Sequence, residues 1–408
     1  MQTIFPLKLC IVILLALILT ASSLAQETVI HAFMQNDGFD SYGGLIFDPQ
    51  GNLYGLASTG GSQNAGTVFE LTPSSGGWTL TVLYDFTGKS DGGNPRGVLT
   101  MDGAGNLYGT TQHGGNSHNC NGGGCGVVFE LLNTPQGWKE KVLHTFTDGS
   151  DGASPTGPVI RDAIGNLYGV TPFGGSTQCV PNGCGVVYEL QPIMLSLNGP
   201  WREVTLYEFS NYNVAVTPNT SVTFDSNGNL FGTAGGGPYG QGVIYELTHG
   251  AGGWSENTIY DFSTPGYPGG GLTFDKVGNL YGTVDGGGDY GSGGVFELID
   301  SQGTWNLSML HSFGSGSDGI SPNGLVFDAT GNLYGTTYAG GTASNGTAYE
   351  LSPGNDGTWT ETILYNFTSG NDGGGPDAPM VLDTAGNLYS SANLGGQYHL
   401  GGIFEIQH

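Results

Sequence analysis

Apolar residues in this chain fall in short runs, and each run ends in glycine, asparagine or aspartate. One unit shows the pattern clearly. "GLVFD" (Gly324–Asp328), "NLYGTTY" (Asn332–Tyr338), "GTAYEL" (Gly346–Leu351) and "WTETILYNF" (Trp359–Phe367) are four apolar or alternating segments separated by turn residues. They are rich in β-branched and aromatic side chains, and the last alternates with the period of two expected of a half-buried strand. Four short strands, A to D, are predicted for each such unit.

The unit repeats. Its Gly-Asn-Leu-aromatic core begins at Gly51, Gly105, Gly165, Gly228, Gly278, Gly331 and Gly386, with spacings of 54, 60, 63, 50, 53 and 55 residues. Periods near 50 with several strands each predict propeller blades. "ETVIHAF" (Glu27–Phe33) matches the D segment "ETILYNF" (Glu361–Phe367) but has no A, B or C before it, and "GGIFEIQH" at the other end is a C segment with no D after it. The order is therefore D-A-B-C, and the orphan D can complete the last blade. The expected fold class is all-β, a seven-bladed propeller of four-stranded blades closed by the N-terminal strand, because closure removes exposed strand edges.

Composition narrows the class. Glycine accounts for 77 of 408 residues, but there is no Gly-X-Y period, which excludes collagen. Aromatics reach 11% at fixed repeat positions, which excludes a disordered chain. Residues 1–25 read as a secretory signal peptide: Lys8, the apolar run Leu9–Leu19, then Ser23-Leu24-Ala25. Residues 26–408 read as one propeller domain, soluble, exported and monomeric. The net charge is −26, and removal of Lys8 leaves seven basic residues against 34 acidic ones. Such a surface repels nucleic acid and anionic membranes, so neither is an expected partner. Gly-x-Ser-x-Gly, His-Glu-x-x-His and phosphate-loop signatures are all missing from the sequence, and catalytic residues are not assigned.

Several positions recur in step with the repeat. Asp48, Asp102, Asp162, Asp225, Asp275, Asp328 and Asp383 each precede the core Gly by three residues, a turn signature. Each C segment carries a Glu (Glu70, Glu130, Glu189, Glu246, Glu297, Glu350, Glu405), for which backbone, Tyr or Asn donors are expected. All six Trp open a D segment and read as blade-edge packing. Near the end of D the ring alternates, with His31, Tyr84, His144, Tyr207, Tyr260, His311 and Tyr365; a position accepting either ring reads as packing rather than metal ligation. Cys120, Cys125, Cys179 and Cys184 form two Cys-x4-Cys pairs between B and C of adjacent units. In an exported chain they predict the disulfides Cys120–Cys125 and Cys179–Cys184, with a four-cysteine zinc site as the rival.

A candidate ligand face follows from connectivity. The D-to-A and B-to-C connections emerge on one face, and that face holds the length variation. His113, Phe173, Tyr239, Tyr290, Tyr338, Tyr398 and His399 lie there as candidate binding residues, with His118 and Asp285 beside them. Exposed aromatics on such a rim suit stacking on sugar rings. The same connections carry Asp-Gly-x-x-Pro at Asp91, Asp151, Asp318 and Asp372, shortened at Asp37. These aspartates read first as turn formers leading back to the centre, and second as a calcium-binding ring at the channel mouth. No cofactor is expected unless that ring binds calcium.

The combined pattern "GLVFDATGNLYGTTYAGG…GTAYELSP…TWTETILYNF" resembles the GloVer tandem repeat of exported bacterial choice-of-anchor proteins, over nearly the whole mature chain. The Asp-x-x-Gly-Asn-Leu-Tyr piece alone is also similar to the NHL-type propeller repeat. The resemblance implies an extracellular propeller. The leading expectation is a secreted binding or interaction module for glycans, polysaccharide or a surface protein. The alternative is a metal-assisted lyase or hydrolase with its site at the mouth of the channel.

Overall fold

The computed structural model describes residues 25–408, apart from residues 180, 194–198, 219 and 265. The signal-peptide assignment lies outside the described residues, save Ala25. Seven antiparallel sheets follow one another along the chain. Blade 6 is representative. Strand A is split into Gly319–Pro322 and Val326–Phe327, B is Leu333–Gly340, C is Thr347–Pro353 and D is Trp359–Asn366. Each strand pairs with the next, so A lies innermost and D outermost.

The ring closes as the half-units predict. Gln26–Ala32 pairs antiparallel with Gly402–Gln407, with Glu27 opposite Ile406 and Ala32 opposite Gly402, and so becomes strand D of blade 7. Two further rings of contacts confirm the closure. The Phe at the end of each D packs on the C-strand aromatic of the following blade: Phe33 on Phe69, Phe86 on Phe129, Phe146 on Tyr188, Phe209 on Tyr245, Phe262 on Phe296, Phe313 on Tyr349 and Phe367 on Phe404. Their centroids lie 4.8–5.7 Å apart. Edge-on aromatic pairs contribute about 0.5–1.5 kcal/mol each beyond their burial, so this belt holds adjacent blades in register.

The second ring is at the axis, where the innermost strands touch through backbone. A Cβ on Gly43 would overlap the Gly97 carbonyl, and one on Gly97 would lie 2.6 Å from the Pro158 nitrogen. Gly270 meets Gly324, and Gly324 and Gly44 both meet Pro379. Glycine is required here by close approach, not only by turn geometry.

The Trp residues do more than cap an edge. Trp138, Trp201, Trp305 and Trp359 stand edge-on to the B-strand ring of the preceding blade (Tyr54, Tyr108, Phe231, Tyr281), and Trp78 packs on Tyr389 across the closure. Asp-Gly-x-x-Pro also differs from its expected form. Rather than remaining a turn throughout, Gly319–Pro322 and its equivalents pair with strand B as the upper half of strand A. In blades 6 and 7 the proline, which lacks an N–H, ends that half of the ladder.

Candidate functional site

Polar side chains concentrate on two features of the face formed by the D-to-A and B-to-C connections. That these connections share a face is fixed by backbone hydrogen bonds within each blade, such as Gly61 N–H to Gln35, Gly115 N–H to Lys89, Gly175 N–H to Gly149 and Gly341 N–H to Asp318.

The first feature is the mouth of the central channel. A cavity of about 220 Å³ lies on the axis, lined by one segment from each blade, among them Tyr42, Thr156, Gly269, Asn323 and Asp377. In four blades a lining residue directly follows the Pro of strand A: Thr156 after Pro155, Gly269 after Pro268, Asn323 after Pro322 and Asp377 after Pro376; in blade 2 the residue at that position, Arg96 after Pro95, stands beside the lining residue Gly97. The repeat thus places a different residue from each blade around one axis. Blades 7, 1 and 2 contribute Asp377, Tyr42 and Arg96. The Arg96 guanidinium stands 4.7 Å from the centre of the Tyr42 ring, and its Nε–H donates to Asn94 Oδ1 at 3.1 Å. Burial, with Asp285 adding like charge, pushes the Asp377 carboxyl up to about 6 against the opposing pull of Arg96. Burial likewise raises Asp285, and lowers His113, which also faces Arg96. Asp285 packs against Gly269, the blade 5 lining residue, where a Cβ would lie 2.5 Å from its Oδ1.

The second feature is the rim. Tyr212, Tyr239, Tyr267, Tyr290, Tyr338 and Tyr398 are the exposed tyrosines among the described residues; five lie in the D-to-A or B-to-C segments of blades 4, 5 and 7, and Tyr338 lies near the end of strand B of blade 6 that leads into its B-to-C connection. Tyr239 is 60% exposed and Tyr290 58%. His113 and His399 are exposed as well, His399 with φ +59°. Phe173 is only half-exposed, and its backbone bridges Ala153. In this sector of blades 2 and 3 the loops are tied by the disulfides Cys120–Cys125 and Cys179–Cys184, each spanning five residues.

The five Asp-Gly aspartates sit one per blade, each inside its own D-to-A turn. Asp37, Asp91, Asp151, Asp318 and Asp372 accept backbone N–H groups from Met34, Thr87, Thr147, Gly314 and Thr368 at 2.8–3.2 Å. Each also receives the ring near the end of strand D: His31 at 3.0 Å, Tyr84 at 3.1 Å, His144 at 3.2 Å, His311 at 3.3 Å and Tyr365 at 3.1 Å. This corrects the packing-only reading of that position. Tyr and His interchange because both can donate to the same carboxylate.

Four of these aspartates, Asp91, Asp151, Asp318 and Asp372, face a second carboxyl, the Glu of strand D in the following blade, and at three of them that Glu is strongly perturbed. Burial, reinforced by the neighbouring aspartate, pushes Glu140 (beside Asp91) and Glu27 (beside Asp372) up to about 7. Glu361, beside Asp318 and His311, is pushed to the same value, again chiefly by burial. One oxygen of each Glu is buried without a hydrogen-bond partner. The corresponding Glu203 and Glu256 are spared this by Thr205 and Thr258, whose hydroxyls donate to them at 3.0 and 2.8 Å. Val142, Val29 and Ile363 occupy the threonine position in the other three blades.

On the opposite face, the A-to-B turn is as expected. Asp48 Oδ1 accepts N–H from Gln50 and Asn52, and Oδ2 accepts from Asn52 Nδ2. The strand-C Glu finds its donor in the B-strand Tyr: Tyr54 to Glu70 at 2.9 Å, Tyr108 to Glu130 at 2.9 Å, Tyr389 to Glu405 at 2.9 Å. In blade 4, where Phe231 replaces that Tyr, Asn229 donates to Glu246 instead, at 3.2 Å.

Sequence reading named His113, Tyr239, Tyr290, Tyr338 and Tyr398 but missed Tyr212 and Tyr267 on the rim and Tyr42, Arg96 and Asp377 at the mouth. The available signal was the residue after the strand-A proline, which varies in chemistry while its flanks repeat. Among the described residues, no helix is long and apolar enough to cross a membrane.

The model of the Gloeobacter/Verrucomicrobia repeat matches residues 18–235, 121–296 and 217–408. No curated protein matches. Solved structures share the architecture at low identity. An ulvan lyase of a polysaccharide lyase family aligns with a TM-score of 0.58 at 10% identity, covering 93% of this chain and 95% of that one. The extracellular domain of a candidate one-component system from B. thetaiotaomicron aligns at 0.54 and 10%, covering 94% of this chain and 40% of that one. A candidate 6-phosphogluconolactonase from Bacteroides uniformis aligns at 0.51 and 14%, covering 78% and 83%. At these identities the likeness is one of fold.

Proposed function

The chain belongs to the Gloeobacter/Verrucomicrobia repeat family, and we propose that it is an extracellular propeller whose loop face binds an uncharged polysaccharide. The observation that carries this reading is the confinement of all six exposed tyrosines to one face and four consecutive blades. A flat ring with a polar tip stacks on the apolar face of a sugar while its hydroxyl bonds outward, and it loses little side-chain entropy in doing so. The net charge of −26 disfavours polyanionic glycans. Arg96, Asp377 and Tyr42 at the centre supply directional donors and acceptors for one sugar unit at the mouth. The two disulfides suit an oxidising, extracellular setting.

The test is a glycan array run with and without calcium, followed by titration of the best neutral hit. Tyr239→Ala and Tyr290→Ala are each expected to weaken binding about 5- to 30-fold, at roughly 1–2 kcal/mol per stacked ring. Preference for sulfated or uronic glycans, or tyrosine variants that bind as wild type, would overturn it. A second reading is favoured by one observation: Asp377, half-buried at the channel mouth and pushed up to about 6 by desolvation and Asp285, has the character of a general acid. It requires chain cleavage of the bound glycan, lost in Asp377→Asn while binding is retained.

A further inference from the structure

We propose that the interface between blades 5 and 6 is a binding site for one zinc-class divalent ion, held by His311 Nε2, Asp318 Oδ2 and a Glu361 carboxylate oxygen. His311 lies in strand D of blade 5 (Trp305–Ser312), Glu361 in strand D of blade 6, and Asp318 at the entry to strand A of blade 6. Two adjacent blades therefore supply the ligands from rigid positions.

His311 Nε2 is 3.3 Å from Asp318 Oδ2 and 3.6 Å from Glu361 Oε2. One ring N–H cannot serve both carboxylates, and 3.6 Å is too long for a good charge-assisted bond. The three ligand atoms lie within 4.8 Å of one another. Tetrahedral zinc with bonds of about 2.0–2.2 Å puts its ligands roughly 3.3–3.5 Å apart, so small side-chain adjustments complete the set. An orphaned group lies in the cluster itself: Glu361 Oε1 is buried and unpartnered. A neutral imidazole with two carboxylates balances a dication, and the fourth position is left to water. Three protein ligands with one imidazole suit zinc better than calcium, which takes six to eight oxygens.

The repeat supplies its own controls. The same interface has Tyr in place of His at Tyr84/Asp91/Glu140 and at Tyr365/Asp372/Glu27. Where His144 and Asp151 meet Glu203, Thr205 draws the glutamate off. Of the five Glu-bearing interfaces, the one between blades 5 and 6 joins His, Asp and an unsatisfied Glu.

The experiment is equilibrium dialysis of the chelator-stripped mature protein against zinc, with bound metal measured directly, and cobalt(II) absorption to report coordination. One equivalent is expected for wild type and for His144→Tyr. His311→Tyr, which installs the residue that sister blades carry, and Glu361→Gln are each expected to weaken binding at least tenfold, and thermal unfolding of the metal-free variants checks that they fold. If His311→Tyr fails to fold, Glu361→Gln alone decides. Binding well below one equivalent in wild type, or equal loss in His144→Tyr and His311→Tyr, would overturn the assignment.

Discussion

Glu140 offers a sharp test of how the blades are joined. Its carboxyl sits between blades 1 and 2, buried beside Asp91, with Oε1 unpartnered, and its folded pKa is raised from 4.5 to about 7. A group raised in the folded state contributes stability that is complete below its unfolded pKa and is lost as pH rises through the folded one. The window here runs from about pH 4.5 to 7. A shift of that size corresponds to about 3 kcal/mol if water is wholly excluded, and about 1–2 kcal/mol once the residual exposure of the carboxyl is allowed for. Glu140→Gln keeps the shape and removes the titration. The variant is expected to lose stability less steeply than wild type between pH 4.5 and 8, and to be the more stable of the two at pH 8 by about 1–2 kcal/mol. Thermal and guanidinium unfolding of both proteins across that range reads the difference directly. A gap that does not change with pH, or a variant less stable at pH 8, would refute the account of Glu140 as a buried carboxyl that holds its proton through the fold.

Two other outcomes follow from the packing. Gly97→Ala is expected to destabilise by about 2–4 kcal/mol, because its Cβ would meet Pro158 and Gly157 backbone at φ +80°, whereas Gly105→Ala, at φ +82° with only the Asn133 side chain near, is expected to cost about 1 kcal/mol; unfolding midpoints compare them. Deleting residues 26–33 removes the outer strand of blade 7 and Phe33 from the aromatic belt, so sedimentation should show self-association through the bared Gly402–Gln407 edge; a stable monomer would count against closure by that strand.

Much was legible from the chain alone. Period, strand order and the complementary half-units determined seven blades and their closure, because each blade is a local meander whose turns are written in Asp-x-x-Gly-Asn. Both disulfides were legible because only four residues lie between the partners, so no distant geometry had to be known. The strand-C Glu donor was left among backbone, Tyr and Asn, and the structure picks the B-strand Tyr. Tertiary structure decided everything that depends on two blades meeting. Tyr42, Arg96 and Asp377 stand 54 and 281 residues apart in sequence and converge only because the ring brings equivalent positions to one axis. His311 looked interchangeable with Tyr in its own blade, and only the neighbouring blade's Glu361 makes it different. A repeat records what every blade needs in order to fold, whereas a site arises from how blades differ at positions that closure makes adjacent.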